Sequence, residues 1–132
     1  MKFTIIPFQG TDKLKLNLTS KETRDIFPDK FRRRFKKANI VPTDSFRGFH
    51  VYYDEDDRSE AIEFWEPEIF LNGIQLMGAD YNIVKDMFEK LDDNLDYEEG
   101  YGFDSIKYQI GINAPYGKVE SVLVGRKGYY EE

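Results

Sequence analysis

The sequence predicts an α+β domain, a mainly antiparallel sheet built from hairpins with two or three helices packed on it. Three observations carry that expectation. Short apolar or alternating runs recur along the chain, separated by turn residues, as hairpin strands are. The segment after Asp80 keeps a helical apolar spacing over several turns. Strands and helices do not alternate regularly, which argues against a βαβ parallel sheet. The chain has 132 residues, 40% hydrophobic and 16% aromatic. That is the size and apolar mass of one core, so a single globular domain is expected over 1–132.

The elements follow in order. Phe3 to Phe8 reads as a strand, and Leu14 to Leu18 alternates with period two. Gly10-Thr11-Asp12 supplies turn chemistry between them, so the two are expected to pair as a hairpin. Thr19-Ser20-Lys21-Glu22 has capping-box spacing and predicts a short helix. Pro28 suits the first position of a second helix, to about Ala38. Phe27, Phe31 and Phe35 would share one face of it, with Asp29 near its start and Lys36 and Lys37 near its end. Gly48 to Asp54 and Glu60 to Trp65 are predicted strands around a polar turn. Ile69 to Leu71 and Ile74 to Leu76 flank Asn72-Gly73, the strongest short hairpin signal. Asp80 is expected to cap a helix through Leu91, whose apolar residues Ile83, Val84, Met87, Phe88 and Leu91 keep helical spacing. Asp92 to Gly102 reads as an acidic loop. Ser105 to Ile112 and Val119 to Val124 predict a last pair of strands.

Composition excludes several chemistries. There are 0 cysteines and 1 histidine. That rules out disulfides, zinc–thiolate sites and a thiol nucleophile. No phosphate-loop spacing and no G-x-S-x-G elbow is present. The apolar N-terminal run stops at Pro7, too short for a signal-peptide core, and no run approaches a bilayer span. A cytoplasmic protein with no membrane partner is expected. The formal net charge of -6 repels phosphates and disfavours nucleic acid as a partner.

That charge is unevenly divided. Lys30 to Lys37 is almost wholly basic, whereas Asp54 to Glu68 and Asp92 to Asp104 are strongly acidic. Asp54, Asp56 and Asp57 do not form a calcium loop: Ser59 stands at the sixth position, where glycine is required, and Trp65 at the twelfth, where glutamate is required. The run from Asp92 fails likewise, with Tyr97 at the glycine position. No metal and no cofactor is expected. The candidate partner contacts are Asp54, Glu55, Asp56 and Asp57 in one turn, and Asp92, Asp93, Asp96, Glu98 and Glu99 in the later segment. The competing reading makes both solvated turns.

A second constellation is His50, Glu63 and Arg126, which a pocket beside the sheet would bring together. Glu63 lies in an apolar strand, where burial raises a carboxyl pKa unless a partner offsets it. Its bland reading is a cross-sheet pair with Arg47, Arg126 or another cation. His50 reads as a structural or surface histidine, having no second histidine or cysteine to complete a metal site.

Val51-Tyr52-Tyr53-Asp54, Ala61-Ile62-Glu63-Phe64, Gly73-Ile74-Gln75-Leu76, Gly111-Ile112, Val119-Glu120-Ser121-Val122 and Gly128-Tyr129-Tyr130 carry a resemblance. Over Gly48 to Tyr130 the chain resembles small bacterial single-domain proteins, some of them similar to the immunity proteins of bacterial toxin systems. These are strand and turn residues. The resemblance implies a fold more than an activity, and it assigns no site residue. The leading expectation is a non-enzymatic, immunity- or antitoxin-like module that neutralises a basic protein partner, such as a toxin, through an acidic surface. The alternative is a small-ligand-binding or enzymatic domain with a pocket beside the sheet. A third arrangement is a homodimer formed through the phenylalanine stripe or a sheet edge.

Overall fold

The computed structural model describes residues 1–27, 32–35 and 42–131, with 32–35 and Pro42 described by backbone alone. In chain order the strands and helices are β1 (Lys2–Ile6), β2 (Gly10–Thr11), α1 (Ser20–Ile26), β3 (Arg32–Phe35), β4 (Pro42–Phe46), β5 (Phe49–Tyr53), β6 (Ser59–Phe64), β7 (Glu68–Leu71), β8 (Ile74–Gln75), α2 (Tyr81–Leu91), β9 (Asp96–Glu98), β10 (Gly102–Ser105), β11 (Ile110–Asn113) and β12 (Ser121–Gly125). A single 3-10 turn, Tyr129–Glu131, follows β12.

An eight-stranded sheet runs β3-β4-β5-β6-β12-β11-β10-β9, and its neighbours are antiparallel throughout. A smaller set, β2-β1-β7-β8, contains one parallel pair, β1 with β7. The smaller set and α2 cover one face of the large sheet. Phe3 of β1 packs on Phe49 and Phe64, with ring centroids 5.7 and 4.9 Å apart. Phe88 of α2 packs on Phe103 at 5.2 Å. Val51, Ile62, Val122, Val124, Ile110 and Ile112 complete the same buried cluster. The fold is therefore α+β, with mostly antiparallel pairing and two α-helices among the described residues.

Several predicted elements stand where the sequence puts them. Thr19 caps α1: its hydroxyl accepts from the Glu22 amide, and the Glu22 carboxylate accepts from the Thr19 amide at 3.0 Å, which closes the capping box. Asp80 caps α2 by accepting from the Asn82 amide at 2.9 Å. Asn72 and Gly73 both take positive φ, 52° and 79°, as a two-residue hairpin turn requires.

Four expectations need correction. The first hairpin is not Phe3–Phe8 with Leu14–Leu18. The presumed turn residues Gly10 and Thr11 themselves pair with β1, opposite Ile6 and Ile5. Leu14 and Leu16 are buried, but their segment joins the fold through single bonds, such as Leu16 N–H to Gln9 O and Asn17 N–H to Ser59 O. The helix expected over 28–38 is also wrong where it can be seen. Arg32–Phe35 is a strand, paired with β4 in the register Arg32–Ser45 to Phe35–Pro42. The rest of that prediction, including Phe31, Lys36 and Lys37, lies outside the described residues. Phe27 does reach the core, 5.5 Å from Phe49. Third, the acidic stretch after Asp92 is not all loop, because it contains β9. Last, the strand expected from Ser105 to Ile112 is split: β10 ends at Ser105 and β11 begins at Ile110.

Candidate binding cleft on the open face of the sheet

Side chains alternate across a strand, so residues in one register row share a face. One row of the large sheet reads Ser45, His50, Glu63, Leu123, Gly111, Asp104 and Asp96 from β4 to β9. A second row reads Ser121, Asn113, Gly102 and Glu98 from β12 to β9. Both rows lie on the face opposite the apolar core, which we call the open face. Of the carboxylates assembled here, only Glu63 comes from the middle of an apolar strand. Asp104, Asp96 and Glu98 arrive from strands that pair late in the chain.

Two glycines shape this face. A Cβ on Gly111 would overlap the Tyr130 hydroxyl, and one on Gly125 would lie 2.9 Å from Tyr129 Cβ. Glycine inside a strand marks such close approaches. The 3-10 turn lays Tyr129 over Gly125 and Tyr130 over Gly111. Its position is fixed by the Tyr130 amide, which donates to Gln109 Oε1 at 2.8 Å. Beside Tyr130 opens a cleft of about 190 Å³, lined by Glu63, Glu98, Tyr101, Asp104, Asn113 and Tyr130 among others.

The electrostatics of the cleft are one-sided. The Tyr52 hydroxyl donates to Glu63 Oε1 at 2.6 Å. The Tyr130 hydroxyl and the Asp104 carboxylate stand side by side over Gly111. Burial, reinforced by these carboxylates, pushes both phenols well above the ordinary tyrosine range, so both remain donors. Burial also lifts the Asp104 carboxyl above its usual 3.8, helped by the negative charges of Asp96 and Glu98 and opposed by the Tyr130 hydroxyl beside it. Among the described residues no lysine or arginine forms an ion pair with Glu63, Glu98 or Asp104. The cleft thus presents acceptors and aromatic walls without a fixed counter-cation. A hydrogen-bonding cation is the group it suits.

The sequence-predicted residues separate sharply. Asp54 is committed to its own turn: Oδ1 accepts from the Asp56 and Arg58 amides at 2.9 Å each, and Oδ2 pairs with Arg126 Nη1 at 2.8 Å. Asp57 Oδ2 accepts from the Ser20 amide and hydroxyl at 3.2 and 3.0 Å, tying the turn to the start of α1. Asp92 is buried, accepting from the Asn94 amide at 2.9 Å and from the Ser105 hydroxyl at 2.7 Å. Asp54 and Asp57 thus hold the turn in place while staying partly exposed, and Asp92 is buried away from the surface. Glu55, Asp56, Asp93 and Glu99 are exposed but outside the cleft lining. Asp96 stands in the row beside Asp104, and Glu98 lines the cleft.

His50 and Glu63 are brought together, directly opposed on β5 and β6. His50 packs edge-on against Trp65, with ring centroids 4.6 Å apart. Arg126 does not join them. It pairs with Asp54 and lies 3.6 Å from Glu60. Neither expected cation partner meets Glu63: Arg126 pairs with Asp54, and Arg47 is exposed beside Glu66, at 4.0 Å. Asp104, Tyr101 and Tyr130 were missed. The signal that could have found them is the glycine inside each of two strand runs, Gly111 and Gly125, followed by the pair Tyr129-Tyr130.

Among the described residues no group of three histidine, aspartate or glutamate side chains is disposed to hold a metal. No helix among them is long and apolar enough to cross a membrane. Comparison of the chain with protein-family models, with curated proteins and with solved structures found no match.

Proposed function

We propose that the chain is a non-enzymatic binding module, of the immunity or antitoxin-like kind, that neutralises a basic protein partner through the open face of its large sheet. The observation that carries this reading is the convergence of Glu63, Glu98 and Asp104 on one cleft, with no cation among the described residues paired to them. Burial, with the charges of Asp96 and Glu98 beside it, raises the Asp104 carboxyl, so ionising it opposes folding. Such local disagreement with stability is expected at functional surfaces. A basic partner would relieve it, and the field of the acidic face would steer the encounter.

The volume favours a protein side chain over a free ligand. Small-molecule sites occupy roughly 300–1,000 Å³, and this cleft holds about 190 Å³. The opposed His50 and Glu63 are the feature that speaks for the alternative of a ligand or catalytic pocket. Glu63 is already engaged by Tyr52, however, and the third member of that set, Arg126, is tied to Asp54.

The test uses the full chain as immobilised bait in an extract of its native cells. A parallel bait carries Glu63→Gln, Glu98→Gln and Asp104→Asn. The reading expects a basic protein retained by the parent and lost by the variant. Retention of the same proteins by both baits would exclude the cleft as the binding surface.

A further inference from the structure

We infer that the open face docks an arginine-bearing segment of its partner, with one arginine side chain seated in the cleft between Tyr130 and the carboxylates of Glu98 and Asp104. This rests on the reading of the chain as a module for a basic protein, and it names the group that is recognised.

The choice of arginine over lysine comes from the number and placement of acceptors. Glu98 and Asp104 belong to adjacent strands, and Glu63 closes the far side. Asn113 and Ser121 add an amide oxygen and a hydroxyl from the floor. An ammonium offers three donors around a point charge. A guanidinium offers five in a rigid planar fork, matching acceptors spread over a shallow depression. Gly111 lets the Tyr130 hydroxyl sit down against the sheet, which makes that phenol one wall of the cleft.

The walls point the same way. The Tyr130 ring is held over Gly111, and Tyr101 is largely exposed at the rim of the cleft. Guanidinium stacks on aromatic faces and is more weakly hydrated than ammonium, so it enters such a site with less loss of hydration. Charge complementarity commits the occupant: the lining contains three carboxylates and no lysine or arginine. Arginine, tyrosine and tryptophan also dominate the energetics of protein interfaces. The exposed Trp65, stacked edge-on with His50 further along the same face, extends the docking surface beyond the cleft.

The experiment is an amide NMR titration of the full labelled chain. Three probes are compared: N-acetylarginine N-methylamide, its lysine counterpart and its uncharged citrulline counterpart. The arginine probe should shift the amides of Gly102, Gly111 and Asn113, saturate, and bind at least about fivefold more tightly than the lysine probe. The citrulline probe should leave those amides unmoved. Glu98→Gln with Asp104→Asn should abolish the arginine response, whereas Asp56→Asn, outside the cleft, should preserve it. Equal binding of arginine and lysine, or shifts that survive the cleft substitutions, would overturn the inference. If the bait experiment still shows a basic protein lost by the cleft variant, the broader reading survives that failure. If no basic protein is captured by the parent, both fall.

Discussion

The turn at Asp54–Arg58 and the open-face cleft are both rich in carboxylates, yet they use them in opposite ways. In the turn, acceptors meet donors. Asp54 receives two amides and a guanidinium, and Asp57 receives the first amide of α1. In the cleft, Glu63 accepts from the Tyr52 hydroxyl, Asp104 stands beside Tyr130 and Glu98, and among the described residues no lysine or arginine pairs with any of the three carboxylates. The turn's acids hold the fold together, whereas the cleft's acids oppose it. An acidic run in a sequence therefore says little about binding until its internal donors are known.

The structural acids should show the largest stability effects. Asp44 is fully buried on β4, where it accepts from Arg24 Nε and Nη2 at 2.9 and 2.8 Å and from the Tyr53 hydroxyl at 2.9 Å. Breaking a buried pair by removing one partner costs about 3–5 kcal/mol. Asp44→Ala should lose that much in a urea melt, far more than any cleft substitution. Equal losses at Asp44 and Asp104 would erase the distinction between the two classes.

Next in size is Gly111→Ala. The added methyl collides with the Tyr130 hydroxyl, so the Tyr130 side chain must move off the sheet. Overpacking of this kind costs about 1–3 kcal/mol. A thermal melt and the fluorescence of the tyrosines should report the displacement together. A variant that melts with the parent and keeps Tyr130 in place would show that Gly111 is not what seats that side chain.

The smallest effect has opposite signs in the two regions. Burial pulls the Asp54 carboxyl upward, but the amides of Arg58 and Asp56 and the Arg126 guanidinium outweigh it, leaving it below its usual 3.8. The folded state thus holds that proton less tightly than the unfolded chain. The resulting stability is complete above the usual value and lost as pH falls through the lower folded value. For Asp104 the folded value is raised. Its ionisation opposes folding above that folded value, and the opposition vanishes below the usual one. Asp54→Asn should therefore destabilise at neutral pH by about 0.5–1 kcal/mol. Asp104→Asn should leave stability equal or higher, within about 0.5 kcal/mol. Both differences from the parent should shrink near pH 3, below the usual aspartate value. Urea melts at the two pH values decide it, and a loss of stability on Asp104→Asn at neutral pH would contradict the sign.

What the sequence made legible was local. Asn72-Gly73, the Thr19–Glu22 box and the periodic run after Asp80 each carry their signal within a few residues, and all three stand. The strands that carry His50 and Glu63 were legible, but the register that sets the two directly opposite each other was not. The four-residue spacing of Phe27, Phe31 and Phe35 imitated a helix, while the strand Arg32–Phe35 gets its pairing from Pro42–Phe46. That second strand was invisible because its most buried position is Asp44, a charged residue that accepts from Arg24 and Tyr53. The cleft was illegible for the same reason. Asp104 and Glu98 share a face with Glu63 only through the register of β6, β12, β11, β10 and β9, which short acidic strands do not announce.

The central claim is that the cleft carboxylates bind while the turn carboxylates build. The most direct measurement compares two triple variants that each remove three negative charges: Glu63→Gln with Glu98→Gln and Asp104→Asn, against Asp54→Asn with Asp56→Asn and Asp57→Asn. Each is titrated calorimetrically with a short oligoarginine peptide at low salt, and each is melted. The cleft variant should lose at least about tenfold in affinity, or 1.4 kcal/mol, and melt like the parent or above it. The turn variant should keep its affinity to within about threefold and melt lower. An equal loss of affinity in both would show that net charge alone attracts the peptide, and would contradict the account.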